Sequence, residues 1–299
     1  MLQANLPITL PVRTTATDGV LLVDKPTGMT SHDVVAAARR ALRTRRIGHT
    51  GTLDPFATGL LVLLVGRATR LAQYVDDEPK TYDATIAFGR ETTTDDLTGE
   101  TTREEPLPDP SSVDEGMRRL TGTIQQQPPD YSAKKLAGRR AYAAARAGAP
   151  LKLAPASVVV HEWIVRRRAP STLGVTITCG GGTYIRALAR DLGRIAGSAA
   201  HLSALRRTRS GVFEVEHAVA AESLRDSEPP ALMPLHSAVA HLSTKRLDDV
   251  ELRRVQHGNA LDAPGEANLV ALLDADGELV ALAQREGGLL RPRVVMRDA

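Results

Sequence analysis

No apolar stretch of this chain is longer than Gly59–Gly66, Gly-Leu-Leu-Val-Leu-Leu-Val-Gly, and that length limits what it can build. A run of this size fits one buried strand and falls far short of the ~20 residues a membrane-crossing helix needs. Val20–Val23 is a second such run, and Lys25-Pro26 closes it, because proline cannot continue a sheet. Thr81–Phe88 alternates apolar and polar residues, the pattern of a strand with one buried face. Val158–Arg166 and Leu173–Cys179 read as paired strands, followed by a turn at Gly180-Gly181-Gly182. Helical spacing appears between these runs. One helix starts at Ser31 as N-cap and passes through Val34, Val35, Ala38 and Leu42, with Arg39, Arg40, Arg43 and Arg46 on its open face. Others are expected over Ala68–Tyr74, Val113–Leu120 and Ile185–Ile195. Short strands interleaved with helices in this irregular order predict an α+β fold built on a large mixed sheet.

The rest of the chain divides by composition. Thr92–Pro110 is polar, acidic and rich in Thr and Pro, and reads as a loop or mobile excursion. Pro128-Pro129-Asp130 is a breaker, and a basic stretch follows from Lys134 to Arg146. Ser227-Glu-Pro-Pro reads as a linker. Beyond it come a short helix at Asp248–Gln256 and a hairpin of Asn268–Leu273 with Glu278–Ala283 around Asp274-Ala-Asp-Gly277. The expected organisation is a main domain over 1–230 with a basic insertion near 125–150, then a small β-rich module over 245–299.

Composition narrows the function classes. Of 299 residues, 42% are hydrophobic and 24% charged, as in a soluble globular protein. A single cysteine, Cys179, leaves no disulfide framework and no thiolate metal cluster. Met1–Asp18 has no basic segment followed by an apolar core, so no secretory signal is expected and the cytoplasm is the simplest location. The net charge of +3 hides strong blocks: +5 over 1–75, −10 over 76–115, +12 over 116–220 and −4 over 221–299. Such blocks suit a polyanion-binding face, and they equally suit ordinary solvated arginine-rich helices.

Gly48-His49-Thr50-Gly51-Thr52-Leu53-Asp54-Pro55 is the most informative segment. It is no phosphate cradle, since no Gly-Lys-Ser/Thr follows and a carboxylate would repel a phosphate. A glycosidase needs two cooperating carboxylates, and one is present here. His49 and Asp54 alone are too few to hold a metal. What remains is a lone aspartate in an arginine-rich neighbourhood, or an aspartate that caps a helix starting at Pro55.

The segment Gly48 to Gly59 resembles the catalytic motif of the TruB family of pseudouridine synthases. Leu22-Val-Asp-Lys-Pro-Thr-Gly-Met-Thr-Ser31 resembles the family's N-terminal motif, and Lys80-Thr-Tyr82 its tyrosine motif. Gln127-Pro-Pro-Asp-Tyr-Ser-Ala-Lys-Lys135, with Gly138, Tyr142, Arg146 and Gly148, resembles the segment after the acidic loop. Gly182-Thr-Tyr184-Ile-Arg186 and His201-Leu-Ser-Ala-Leu205-Arg206-Arg207 match its last two motifs. The matches stand in family order and cover roughly 19–215.

The resemblance implies a mixed, largely antiparallel sheet of the pseudouridine synthase type and a C-terminal module of the PUA kind. It implies isomerisation of uridine 55 in the T stem-loop of tRNA, by base flipping, with no cofactor and no metal. Asp54 would be the essential carboxylate and Arg186 its bidentate partner, since a buried carboxylate resists ionisation unless paired. Tyr82 would stack on the extruded base, and Tyr184 and Leu205 would line its pocket. His49 would hold the T loop open once the target has left the stack. Lys25, Arg39, Arg40, Arg43, Lys134, Lys135, Arg139, Arg206 and Arg207 are candidates for contacts to the RNA, chiefly its phosphates. Aromatic residues make up only 3% of the chain, which argues against a multi-ring platform and suits recognition of a folded RNA by shape.

Two rivals stand beside this reading. A guide-RNA-dependent synthase is one, and the intact segment Gln127–Gly148 favours a stand-alone enzyme, expected as a monomer without guide RNA. The other is an RNA chaperone that folds tRNA without chemistry. Asp54, Tyr82 and Arg186 together favour an enzyme, with tRNA folding as an accessory role.

Overall fold

The computed structural model describes residues 17–75, 78–129, 131, 153–262 and 265–296, together with the backbone of 135–136 and 139–140. The chain runs β1 (Gly19–Lys25), α1 (Ser31–Ala41), β2 (Ile47–His49), β3 (Thr58–Val65), β4 (Lys80–Phe88), β5 (Arg90–Thr92) and β6 (Thr101–Glu104). It continues with α2 (Pro110–Arg119), β7 (Gly122–Gln126), β8 (Lys135–Leu136), β9 (Arg139–Arg140), β10 (Ala156–Ala169), β11 (Thr172–Cys179), α3 (Ile185–Ile195) and β12 (Ala200–Ser210). Next are β13 (Phe213–Glu214), β14 (Val219–Ala220), β15 (Ser243–Arg246), α4 (Asp249–Gln256), β16 (Leu261–Asp262), β17 (Leu269–Leu273), β18 (Leu279–Glu286) and β19 (Leu289–Val295).

Ten strands form one mixed sheet in the order β14-β1-β3-β12-β4-β11-β10-β7, with β2 added to β3 and β13 to β12. Most neighbours are antiparallel; β1–β14 and β12–β3 are parallel. The unbroken apolar runs are explained by burial on both faces. On β3, Leu60, Val62 and Leu64 enter one core while Leu61, Leu63 and Val65 enter another. On β1, Val20 and Leu22 divide from Leu21 and Val23 in the same way. Beside them, β4 turns Tyr82, Ala84 and Ile86 towards a third core that holds Leu188 and Leu192 of α3 and Val113 and Met117 of α2. Helices and loops on this side carry the candidate site.

Several local expectations change. Thr30, not Ser31, caps α1: its side chain accepts from Asp33 N–H, and Asp33 returns a bond to the Thr30 backbone. Ser31 is instead buried against the Gly48–Pro55 loop. The helix expected over Ala68–Tyr74 is a 3-10 turn over Gly66–Leu71. The acidic excursion is ordered, since β5 and β6 form a hairpin and Asp95 and Leu97 exchange backbone bonds with Leu202 of β12.

β12, the strand that joins the two halves of the sheet, carried no strand signal in the sequence. Its register slips between Leu202 and Ala204 and again between Arg207 and Arg209 opposite β4, which breaks the two-residue alternation. The tail forms a second sheet, β15-β17-β18-β19-β16. Ala271, Leu273, Leu279, Leu282, Val294 and Met296 of that sheet share a core with Val20, Leu60 and Val62.

Candidate active site

The Gly48–Pro55 loop leaves β2 and returns into β3, and its shape is fixed from three sides. Ser31 Oγ donates to the Leu53 carbonyl at 3.2 Å and accepts the Leu53 N–H at 2.9 Å. Lys25 Nζ donates to the carbonyls of Pro26 at 2.9 Å, Met29 at 2.8 Å and Pro55 at 3.4 Å. Arg207 Nε donates to the Leu60 carbonyl at 2.7 Å and Nη2 to that of Gly51 at 3.2 Å. Gly59 lets β3 pass against β12: its φ is +99°, and a Cβ there would lie 2.2 Å from the Arg207 carbonyl oxygen. No helix follows Pro55, so Asp54 is not a helix cap.

Held this way, Asp54 meets Arg186 at the first turn of α3. Arg186 Nε lies 2.8 Å from one carboxylate oxygen and Nη2 3.1 Å from the other, the two-pronged geometry that fixes orientation as well as charge. Its remaining donors reach the carbonyls of Thr94 and Tyr131, each at 2.8 Å. Asp96 stands 3.7 Å from Nε and is itself held by Thr94 and Thr98. The guanidinium is 4% exposed and the Asp54 side chain 34%, so the carboxylate is the open end of a buried pair.

That open end faces a cavity of about 310 Å³ lined by Asp54, Lys80, Tyr82, Tyr184, Leu205 and Arg207 among others. Gln126 pins the Tyr184 backbone from both sides, accepting from its N–H at 2.9 Å and donating to its carbonyl at 3.1 Å. Half-buried His49 lies at the loop's entry, accepting from Gly51 N–H at 3.3 Å, with the His32 ring edge-on at 6.0 Å. Burial, then His32 and Arg207, push His49 below the usual histidine range, which favours the neutral ring.

The structure therefore brings together Asp54, Tyr82, Arg186, Tyr184 and Leu205, with His49 beside them. Two of the expected RNA contacts lie buried against backbone carbonyls. Lys25 is fully buried with its ammonium on three carbonyls, and Arg207 is 2% exposed with its guanidinium on two. Both support the loop, and Arg207 also borders the cavity. Burial pushes Lys25 down to about 8 in spite of nearby Asp54. Arg206 forms a two-pronged pair with Asp24 at 2.9 and 2.6 Å and remains part-exposed. Arg39, Arg40 and Arg43 are exposed on α1 and just past its end, and Arg39 also donates to the Ile47 carbonyl at 3.0 Å. Lys134 lies outside the described residues, as do the side chains of Lys135 and Arg139, whose backbone pairs as β8 and β9.

Sequence reasoning missed Asp96, Gln126 and the Thr94 carbonyl. For Asp96 and Thr94 the one signal was the acidic block, which is opposite in sign to α3; Gln126 carried none. Among the described residues, no group of three His, Cys, Asp or Glu side chains could hold a metal, and no helix is long and apolar enough to cross a membrane.

The site is thus a carboxylate gripped by an arginine fork, sharing an open cavity with a tyrosine of a mixed sheet. Solved chains agree at the level of fold: one from an H/ACA RNP bound to a substrate RNA containing 2'-deoxyuridine aligns with a TM-score of 0.70 at 26% identity, covering 93% of this chain and 85% of that one. One from a Cbf5-Nop10-Gar1 complex aligns at 0.70 and 27%, covering 94% and 86%. The TruB family pseudouridylate synthase N-terminal domain matches residues 39–185, the tRNA pseudouridylate synthase B C-terminal domain 186–239, and the tRNA pseudouridine synthase II C-terminal domain 243–297. Similarity to the tRNA pseudouridine synthase B of Thermobifida fusca (strain YX) is 48% identity over 93% of this chain and 98% of that one. For the Nocardia farcinica (strain IFM 10152) enzyme of the same name it is 46%, over 93% of each. The chain belongs to the TruB family.

Proposed function

We propose that this protein isomerises uridine to pseudouridine in the T loop of tRNA, at uridine 55, with Asp54 as the essential carboxylate. The observation that carries the reading is the Asp54–Arg186 fork at the floor of an open cavity of nucleoside dimensions. The names of the tRNA-modifying relatives and their near-complete overlap with this chain support the substrate.

The reaction breaks the N1–C1′ bond, turns the uracil and joins C5 to C1′. The C5 proton leaves and N1 gains one, so atoms balance without a cofactor. The target must first leave the base stack. Tyr82 on β4 offers a ring for the extruded base to stack on, a contact worth about 1–3 kcal/mol. Leu205 and Tyr184 close the pocket walls. Asp54, with both oxygens oriented by Arg186, faces the sugar, where its negative charge stabilises or captures the positive charge that develops at C1′. The neutral His49 ring suits a wedge beside displaced loop nucleotides.

Exposed Arg39, Arg40 and Arg43 supply attraction to the RNA backbone, and the basic segment after Pro129 extends it. The tail sheet would contact the tRNA beyond its T arm. The protein would work in the cytoplasm as a monomer without guide RNA. Incubation with an unmodified tRNA transcript, followed by carbodiimide mapping of pseudouridine, tests the reading. One new stop, one nucleotide 3′ of position 55, is expected; an unchanged transcript, or conversion elsewhere only, would refute it.

A further inference from the structure

Arg190 lies one helical turn after Arg186 on α3, so the two guanidiniums project from the same face. They make the same pattern of bonds. Arg186 reaches the Thr94 carbonyl in the acidic segment and the Tyr131 carbonyl at the start of the basic segment. Arg190 Nη1 reaches the Asp95 carboxylate at 2.9 Å, and Nη2 the Gln127 carbonyl at 2.9 Å. Each arginine thus ties the same two segments to α3, and Arg190 does so without touching the cavity that holds Asp54.

We propose that Arg190 and Asp95 form a second arginine–aspartate pair that acts as a positioning device. It sets the two carbonyls on which the Arg186 fork rests, and through them the direction in which Asp54 faces the substrate. The inference rests on the reaction proposed above.

Three observations support it. Asp95 is a non-glycine residue in the left-handed region, at φ +59°, a conformation that costs energy and persists only where its surroundings enforce it. Its backbone is enforced by Leu202 of β12, which donates N–H to the Asp95 carbonyl at 3.0 Å, so its side chain is presented to α3 from a fixed strand. The charged groups facing it are Arg190, Arg186, Arg194 and Asp191, all on α3; burial, with a smaller push from Asp191, outweighs the attraction of the three arginines and moves Asp95 up to about 6. A buried pair whose desolvation exceeds its attraction adds little stability, so its effect lies in geometry. The Gln127 carbonyl matters because the basic stretch from Lys134 to Arg146, with its candidate RNA contacts, follows it closely in the chain.

The test is the single-turnover rate of pseudouridine formation and the Kd for tRNA, measured on full-length protein at a temperature where melting curves show every variant folded. Arg190→Gln and Asp95→Asn are each expected to slow the reaction on the order of ten- to hundredfold, the scale of a small misplacement of a reacting group, with Kd changed less than about twofold. Arg190→Lys should fall between, because an ammonium can keep Asp95 but lacks the fork to reach Gln127 as well. Asp191→Asn is the control: Asp191 also pairs with Arg190, at 2.9 Å, but ties down neither segment, so its rate should stay near wild type. Should Arg190→Gln not fold, the near-isosteric Asp95→Asn carries the test. A normal rate in Asp95→Asn, or a loss confined to Kd, would overturn the inference. Failure of the wild-type protein to form pseudouridine in the same assay would instead sink the proposed reaction.

Discussion

Arg186 commits four hydrogen bonds to three partners, and no other side chain fits that geometry. Arg186→Lys keeps the cation but loses the planar fork, so pseudouridine formation is expected to drop by about a hundredfold or more under single-turnover conditions. A lysine variant within a few-fold of wild type would mean that charge alone suffices. Lys25 gives a prediction of the opposite kind, in stability. Its ordinary value of 10.5 falls to about 8 in the fold. Below about pH 8 both folded and unfolded chains carry the charge and the burial cost is fully felt; between about 8 and 10.5 the unfolded chain holds the proton and the fold does not. Stability relative to Lys25→Met should therefore rise with pH through that window, read from urea midpoints. At this scale the sequence was legible where chemistry needs a rare pattern. Asp54, Tyr82 and Arg186 stood out by motif. It was illegible where one residue type serves two ends: nothing in the sequence separates Lys25 and Arg207, buried on carbonyls, from Arg40 and Arg43, open to solvent.

Elements repeat the lesson. The unbroken runs of β1 and β3 and the alternation of β4 announced themselves because burial dictates those patterns. β12 did not, since two bulges and its arginines hide the period of a central strand. The segment Thr92–Pro110 read as a loop or mobile excursion because it is polar, acidic and rich in Thr and Pro. In the fold Glu91 meets Arg103 and Arg194, Asp95 meets Arg190, and Asp96 approaches Arg186. α3 packs closely against the start of β12. A Cβ on Gly193 would lie 2.6 Å from both the backbone N and the Cβ of Ala200. Gly193→Ala should cost about 1–3 kcal/mol, the usual range for overpacking, seen as a lower urea midpoint with unchanged slope. An unchanged midpoint would show that α3 shifts freely on β12, and with it Arg186 and Arg190.

At the scale of the whole molecule, charge and core determine how RNA is bound and how the tail behaves. Within the −10 block, Glu91, Asp95 and Asp96 turn inward on the arginines of α3, whereas Asp83, Glu100, Glu104 and Asp109 stay exposed, so the basic surface offered to RNA lies elsewhere on the molecule. Affinity for tRNA should fall steeply between about 0.05 and 0.2 M salt, and replacing Arg39, Arg40 and Arg43 together should flatten that slope. An unaltered slope would remove this face from the interface. The hairpin of the tail was readable from its turn, but the core it shares with β1 and β3 was not, since a sequence does not say which apolar faces meet. Deleting 243–299 would bare that core, so charge changes on the tail's surface are the better probe of tRNA contact. The central claim, that one carboxylate performs the isomerisation, is tested most directly by Asp54→Asn. The substitution keeps size and hydrogen-bonding capacity and removes the charge. The variant should bind tRNA with near wild-type Kd and form no detectable pseudouridine in the transcript. An Asp54→Asn protein that folds, binds tRNA and still converts uridine at a near-normal rate would contradict it.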